Sequence, residues 1–179
     1  MQRCHLVDTS FGAVGIAWTE KGLSRLLLPQ RDRDAVRRKL AAQGAATAEP
    51  EGAMAELCGR IAHYFAGGTV EFNDVAVDLG DADRFRLAIY AAARRLRFGM
   101  TATYGELAKM AGHEGLARET GAALGRNPVP LVVPCHRILA AGGRIGGFSA
   151  PGGAETKKRM LALEGVVVDP PPAQAAFAF

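Results

Sequence analysis

One cysteine of this chain stands among residues that favour chemistry over packing. Cys135 ends a short apolar run, with Pro134 directly before it. His136 and Arg137 follow it at once. Proline stiffens the backbone, and nearby cations favour the thiolate, which is the nucleophilic form of cysteine. The pattern therefore predicts a firmly held, activated thiol at position 135.

The other two cysteines fit structural positions. Cys58 shares the apolar face of a predicted helix, and Cys4 lies in an apolar opening segment. Buried cysteines of this kind usually behave as small hydrophobic residues. Three cysteines without framework spacing predict reduced thiols in a cytoplasmic protein. Because Cys4, His5, Cys58 and His63 match no compact zinc motif, we expect no bound metal.

A cysteine nucleophile needs a base, and His136 is the nearest candidate in the sequence. Side chains of adjacent residues on an extended backbone point to opposite faces. Contact between Cys135 and His136 therefore requires a turn or a bridging water. Glu164, near the end of the predicted last helix, is the carboxylate best placed to orient the imidazole.

The charge of the chain is unevenly distributed. Residues 1–83 hold 9 Lys+Arg and 12 Asp+Glu, whereas residues 84–168 hold 13 Lys+Arg and 5 Asp+Glu. A basic second half indicates either a surface that faces a polyanion or a solvated basic surface, and charge alone does not separate the two. No apolar run reaches the roughly 18 residues that cross a bilayer, and we expect no signal peptide.

Turn signals divide the first part of the chain into short elements. Apolar spacing predicts strands within residues 2–28, helices over 31–42 and 53–66, a loop over 43–52 and a strand over 70–79. A hinge is expected at 80–83. The predicted domains are then residues 1–80 and 84–168. Residues 169–179 are rich in proline and alanine and are expected to form a flexible tail.

The second domain is predicted to be mostly helical. Asp83 is placed to cap a helix that reaches Leu96. Thr103 and Glu106 have the spacing of a capping box for the next helix. A glycine-rich stretch over 142–153 lacks the spacing of a phosphate-binding loop and is expected to shape a loop beside the cysteine.

A turn over 113–115 and a helix over 116–125 complete a helix-turn-helix pattern. Ala117, Gly121 and Leu124 share one face of the second helix. Small residues there allow another backbone to approach closely. Of the two possible neighbours, another packed helix and DNA, the spacing favours the helix.

Residues 127–138 resemble the active-site signature of the O6-alkylguanine-DNA alkyltransferases, also called methylated-DNA–protein-cysteine methyltransferases. The similarity covers roughly residues 84–165 and includes Thr103-Tyr104-Gly105, Ala117-Arg118, Gly125-Arg126-Asn127, Gly147-Phe148-Ser149 and Leu163-Glu164-Gly165. The first half resembles the family's N-terminal domain more weakly, through Phe11-Gly12 and the strands that follow. The resemblance implies an α+β fold, with a ribonuclease-H-like α/β domain followed by a mostly helical, winged-helix-like domain that contains a helix-turn-helix.

The family moves an alkyl group from O6 of guanine in double-stranded DNA to its own cysteine. The resemblance therefore implies irreversible DNA repair by a monomer without a cofactor, with O4-alkylthymine as a further candidate substrate. It implies that Cys135 accepts the alkyl group, that His136 relays a proton through water and that Glu164 holds His136. By the same resemblance Asn127 braces the turn before the cysteine. Tyr104 helps to rotate the damaged nucleotide and is a candidate proton donor to the guanine.

The resemblance also implies sites for DNA and for the extruded base. Arg118 would fill the vacated position in the base stack. The further DNA contacts would come from Ala117, Gly121, Thr103 and Arg126. The base pocket would be lined by Pro134, Gly147, Phe148 and Ser149. Two positions depart from the family pattern, which usually has small apolar residues where Glu119-Thr120 stand and often has tyrosine in place of Phe148.

Other interpretations lead to different activities. An alkyltransferase-like protein would bind lesions without transfer, but such relatives lack the cysteine that is present here as Cys135. A tyrosine-phosphatase pattern needs Cys-x5-Arg, whereas Arg144 lies nine residues after the cysteine. In a helix-turn-helix transcription factor, the cysteine would be incidental.

Overall fold

The computed structural model describes residues 1–168, and the tail expected at 169–179 lies outside the described residues. A four-stranded sheet of order β3-β2-β1-β4 forms the first half. Its strands are β1 Arg3–Thr9, β2 Gly12–Thr19, β3 Gly22–Gln30 and β4 Ala46–Thr47. The first three form an antiparallel meander, and β4 pairs with β1 in parallel.

Two helices cover opposite faces of this sheet. Helix α1, Arg33–Ala41, packs Val36 and Leu40 against one face. It approaches so closely that a Cβ atom at Gly15 would lie 2.7 Å from Val36 Cγ1, which explains the glycine at that position. Helix α2, Ala53–Phe65, packs against the other face through Leu57, Ile61, Tyr64 and Phe65.

Two predictions for the first half were wrong. Residues 70–79 do not form a regular strand. The segment pairs with the sheet at an isolated bridge between Val77 and Leu23. Two hydrogen bonds, Leu23 N to Ala76 O (2.9 Å) and Asp78 N to Leu23 O (2.7 Å), hold it there. Within the predicted loop over 43–52, the structure contains β4, a pair of residues too short to show alternation.

The second half contains four helices and a small sheet within the described residues. The helices are α3 Arg84–Ala93, α4 Tyr104–Met110, α5 Ala117–Gly125 and α6 Gly153–Leu163, and the parallel pair is β5 Ala102–Thr103 with β6 Ile138–Leu139. Asp83 caps α3, and Thr103 and Glu106 form the predicted capping box of α4. Helix α3 stops at Ala93, earlier than expected, and turns carry the chain to the buried Leu96. No helix among the described residues is long and apolar enough to cross a membrane.

The two halves share one apolar core that joins β1–β3 and α2 to α3–α6. A backbone hydrogen bond from Leu26 N in β3 to Pro128 O, 2.9 Å long, fixes the loop that leads to Cys135. The Arg94 side chain, just after α3, donates to Asn73 O (2.9 Å) and Val75 O (2.6 Å) of the connecting segment. The sheet of the first half therefore supports the position of the cysteine loop.

Candidate active site

The loop before Cys135 is braced by one amide side chain. Asn127 Oδ1 accepts a hydrogen bond from Val129 N (3.0 Å), and Asn127 Nδ2 donates to Val133 O (2.8 Å). Leu131, between them, has a left-handed φ of 77° and is buried. A non-glycine residue held in this region costs roughly 1–3 kcal/mol, which the surrounding contacts must offset. The apolar run is therefore a tightly held turn.

A 3₁₀ turn over Cys135–Arg137 separates the thiol from the imidazole. It is closed by hydrogen bonds from Cys135 N to Val133 O (2.8 Å) and from Arg137 N to Pro134 O (2.9 Å). His136 is fully buried, whereas the half-buried Cys135 lines two cavities. The backbone at the cysteine is thus a turn, but among the described residues the His136 ring makes no hydrogen bond to Cys135. Of the two routes to contact that the sequence left open, the bridging water is the one that remains.

The Glu164 carboxylate receives five hydrogen bonds. Its Oε1 accepts from His136 Nε2 (2.7 Å), Tyr64 Oη (2.8 Å) and Arg137 Nη2 (3.0 Å). Its Oε2 accepts from Arg137 Nε (2.8 Å) and Gly99 N (2.9 Å). Burial acts to raise the pKa of Glu164, but the hydrogen bonds from His136 and Arg137, together with the charge of the guanidinium, outweigh it and hold the pKa at about 2. The carboxylate is therefore ionised at neutral pH.

The ionised carboxylate determines which nitrogen of His136 carries the proton. Because Glu164 Oε1 can only accept, Nε2 is the N–H donor and Nδ1 holds the free lone pair. Nδ1 is buried and has no hydrogen-bond partner among the described residues. Burial lowers the pKa of His136 in spite of the opposing effect of Glu164. The imidazole is therefore a neutral base with Nδ1 as its basic atom.

The electrostatics of the thiol correct one prediction. Burial raises the pKa of Cys135, while a hydrogen bond from Asn127 and the charge of Lys157 lower it. The expected cation, Arg137, is committed to Glu164 and to the carbonyl oxygen of Leu96. The resting side chain is thus a neutral thiol that needs a base at the moment of reaction, and its nearby cation comes from another element.

Sequence reasoning missed that cation, Lys157 of α6. The side chain is fully buried, donates to Ile138 O, and holds its Nζ 5.8 Å from the ring centre of Tyr104 and 5.7 Å from that of Phe148. Burial lowers its pKa, and the proximity of Cys135 acts in the opposite direction. A lysine seven residues before Glu164 lies on the same helical face, and that spacing could have indicated it.

A cavity of about 820 Å³ opens in front of the thiol. Tyr104 Oη donates to Gly147 O (3.3 Å), so its ring forms one wall. A Cβ atom at Gly146 would lie 3.1 Å from that ring, which explains why a small residue stands there. The predicted site residues that line this cavity are Thr103, Tyr104, Ala117, Arg118, Gly121, Cys135, Gly147, Phe148 and Ser149.

The sequence favoured a packed helix against the small-residue face of α5. In the structure, part of this face lines the cavity instead. Ala117 and Gly121 line it, while Leu124 also reaches the core. A Cβ atom at Gly121 would lie 3.7 Å from the Tyr104 ring, an ordinary contact distance. Small side chains here leave room for a ligand because Tyr104 stands opposite.

Arg118 is exposed at the cavity rim and makes no ion pair with the described residues. Glu119 is also exposed, but it does not line the cavity. The next departure from the family pattern, Thr120, is buried and donates its hydroxyl to Leu116 O (2.8 Å). Neither residue obstructs the rim.

Among the residues predicted to contact DNA or to line the base pocket, two lie away from both cavity walls. Pro134 is buried beneath the cysteine turn, and Arg126 is exposed at the end of α5. A second cavity of about 550 Å³ also includes Cys135 in its wall, together with Asn127 and Pro130. Its wall also includes Arg25 of β3, a long-range contribution that has no local signal in the sequence.

Comparisons with known proteins agree with this geometry. Residues 84–166 match the family model of the 6-O-methylguanine DNA methyltransferase DNA-binding domain. The methylated-DNA–protein-cysteine methyltransferase of Methanothermobacter thermautotrophicus is 31% identical over 156 residues, which cover 87% of this chain and 81% of that protein. The protein of the same name from Mycolicibacterium paratuberculosis is 42% identical over 101 residues, or 56% of this chain and 59% of the relative's length.

Solved structures extend the match to the first half. The O6-methylguanine methyltransferase of Mycobacterium tuberculosis superposes with a TM-score of 0.74 at 31% identity, over 92% of this chain and 93% of that one. Another structure of the mycobacterial protein, in complex with DNA, gives the same TM-score over 90% of this chain and 92% of that one. The mixed α+β fold is thus that of these structures, and this chain belongs to the methylated-DNA–protein-cysteine methyltransferase family.

Proposed function

We propose that this protein repairs DNA by moving the alkyl group of O6-alkylguanine in duplex DNA onto its own Cys135. One observation carries the proposal: the thiol opens on a large cavity while a buried His136–Glu164 pair lies behind it. The names of the relatives, and the DNA bound to one solved neighbour, support the same substrate. The accepting group is part of the chain, so no further cofactor is required.

The residues support a direct displacement at carbon. The thiol proton passes through a water molecule to His136 Nδ1, and Glu164 stabilises the imidazolium that forms. The sulfur then forms a bond to the alkyl carbon as the bond from that carbon to guanine O6 breaks. Tyr104 supplies a proton to the departing guanine, and burial favours its protonated phenol by raising its pKa. Solvent then returns a proton to Tyr104 and takes up the one that His136 received, so both side chains end in their resting forms.

A single protein molecule then repairs a single lesion. The thioether at Cys135 has no ready leaving group, so the thiol is not regenerated. Because a base within the stack is out of reach, the damaged nucleotide must be turned out of the helix at a cost of a few kcal/mol. The cavity of about 820 Å³ is ample for a purine. The exposed position of Arg118 at the rim supports a role in filling the space left in the DNA.

We also propose the finer description of the fold. A sheet with helices on both faces supports a ribonuclease-H-like domain over residues 1–80. The packed pair α4 and α5, with the small β5–β6 sheet, supports a winged-helix-like domain over 84–168 that contains the helix-turn-helix. We further propose that the protein acts as a monomer in the cytoplasm.

The experiment follows a labelled methyl group from duplex O6-methylguanine to the protein. Transfer should reach a plateau at about one methyl group per protein molecule. Continued turnover at a constant rate would contradict the mechanism. A protein that binds the lesion but takes up no label would be an alkyltransferase-like binder.

The role of Arg118 is tested by comparing two substrates. Arg118→Ala should slow transfer from duplex DNA about tenfold or more, because a cation that stacks on bases and pairs with phosphates is lost. Transfer from free O6-methylguanine should be almost unchanged. The control is Arg37→Ala, an exposed arginine of α1, which should affect neither rate. Equal losses on both substrates would argue against a role in base extrusion.

A further inference from the structure

A tyrosine of the first half reaches the buried pair behind the thiol. Tyr64 lies in α2 and is fully buried. Its hydroxyl donates to Glu164 Oε1 at 2.8 Å and lies 3.4 Å from His136 Nε2. The hydroxyl oxygen is also 3.5 Å from Met160 O. The relay between His136 and Glu164 is thus completed by a side chain that the helix-rich half does not supply.

We infer that Tyr64 is a positioning residue for alkyl transfer, which shares the Glu164 carboxylate with His136 so that the imidazole stays a neutral base. The inference rests on the proposed function, and it adds a role for the first half. The family signature surrounds Cys135 and does not include Tyr64. Tyr64 and Glu164 lie 100 positions apart, so no local pattern predicts their contact.

Several hydrogen-bond donors compete for one oxygen atom of the Glu164 carboxylate. Tyr64 Oη–H and His136 Nε2–H both point at Glu164 Oε1, and Arg137 Nη2 is the third donor there. Each donor withdraws negative charge from the oxygen and leaves less of it to stabilise a protonated imidazole. The tyrosine gives its proton to the carboxylate and not to Nε2, so Nε2 keeps its own proton for Glu164 and the lone pair stays on Nδ1.

The pKa of His136 also depends on the charged groups around it, and the hydrogen bond from Tyr64 to Glu164 modifies their effect. Glu164, which directly follows α6, favours the imidazolium, while Arg137 of the cysteine turn and Lys157 of α6 oppose it. From α2, the facing group is the Tyr64 phenol, whose pKa is raised by burial and by the Glu164 charge. The phenol therefore remains a donor throughout the range in which the imidazole titrates.

The ring of Tyr64 is held independently of its hydroxyl. Edge-to-face contacts place the ring centres of Phe65, Phe72 and Phe98 at 5.0, 5.9 and 6.3 Å from it. Tyr64→Phe would keep this aromatic packing and remove a single donor from Glu164. The substitution thus tests the hydrogen bond itself.

The test compares the pH dependence of single-turnover transfer in the wild type and in Tyr64→Phe. The rate falls on the acid side as His136 becomes protonated. Without the phenol donor, Glu164 stabilises the imidazolium more strongly, so this fall should move to higher pH by roughly 0.5–1 unit. The rate below the midpoint should drop about threefold to tenfold, and the alkaline plateau should change little. An equal loss at every pH, or an unshifted midpoint, would overturn the inference.

Tyr90→Phe is the matched control. Tyr90 is a second buried tyrosine, and its hydroxyl donates to Ala123 O at 2.8 Å and not to the relay. This variant loses a comparable buried hydrogen bond and should leave the acid midpoint where it stands in the wild type. A shift of the same size in both variants would show that the effect is not specific to Glu164.

Nuclear magnetic resonance of histidine-labelled protein separates this inference from the proposed function, because it needs no DNA. In the wild type, the Tyr64 hydroxyl proton should exchange slowly and show a contact to the His136 ring, whose proton resides on Nε2. In Tyr64→Phe the His136 titration should move upward by roughly 0.5–1 unit. Absence of the hydroxyl contact, or a proton on Nδ1, would overturn the inference even if the variant fails to fold. Failure of the labelled-methyl experiment would instead overturn the function.

Discussion

Replacing Glu164 with glutamine tests the electrostatic account of the buried relay. The Arg137 side chain is 4% exposed and loses its counter-ion in Glu164→Gln, while the amide cannot accept all five donors. Removing one partner of a buried ion pair costs about 3–5 kcal/mol. We therefore expect the free energy of unfolding to fall by that amount near neutral pH, as measured by urea denaturation.

The pH dependence of that loss is the sharper part of the prediction. The pKa of Glu164 falls from its ordinary value of 4.5 to about 2 in the folded protein. A depressed carboxyl pKa stabilises the fold above pH 4.5 and loses this effect as the pH falls towards 2. The full difference corresponds to about 3 kcal/mol, of which about 2 kcal/mol disappears between about pH 7 and pH 3.

The stability gap between wild type and Glu164→Gln should therefore narrow by about 2 kcal/mol over that range. Glu155→Gln is the control, because this exposed carboxylate lies in the first turn of α6. It should change stability by less than about 1 kcal/mol. A gap of constant size from neutral to acid pH would contradict this prediction, since it would mean that the carboxylate gains nothing from its five donors.

Further substitutions test the cavity wall and the charge near the thiol. Gly146→Ala should slow transfer, because the new methyl group would lie 3.1 Å from the Tyr104 ring and displace it, whereas Gly59→Ala in α2 adds a methyl group with no atom within 4 Å and should have little effect. Single-turnover rates of the two variants make the comparison. Lys157→Met should raise the pKa of Cys135 further and lower its reactivity towards iodoacetamide about tenfold at neutral pH, because a nearby cation is lost. Unchanged alkylation kinetics would show that Lys157 does not act on the thiol.

Local patterns in the sequence predicted most of the helices and the strand-rich start of the chain. Capping residues such as Asp83 and Thr103 act within three residues of their own position, so the sequence displays them directly. The segment over 70–79 misled the prediction because alternating side chains indicate a two-sided environment but not a pairing partner. The prediction of β4 failed for the opposite reason, since two residues show no period.

The candidate site likewise contains some residues that local sequence patterns predict and others that only the fold reveals. The residues around Cys135, and a lone carboxylate at Glu164 near the end of the last helix, predict the proposed nucleophile and its proposed relay from the sequence alone. Lys157 and Tyr64 were missed because their roles depend on which helix faces lie against the cysteine turn, and that is a property of the packed fold. The error over Arg137 shows the same limit, because adjacency in sequence placed its charge near the sulfur while the 3₁₀ turn directed it to Glu164.

The most direct test of the account is the mass of the protein after reaction with duplex DNA that contains O6-methylguanine. We expect a gain of about 14 Da, the mass of one methylene unit, on a peptide that contains Cys135, and no gain in Cys135→Ala. An unmodified protein after the lesion has disappeared, or the added mass on Cys4 or Cys58, would contradict the assignment of Cys135 as the acceptor.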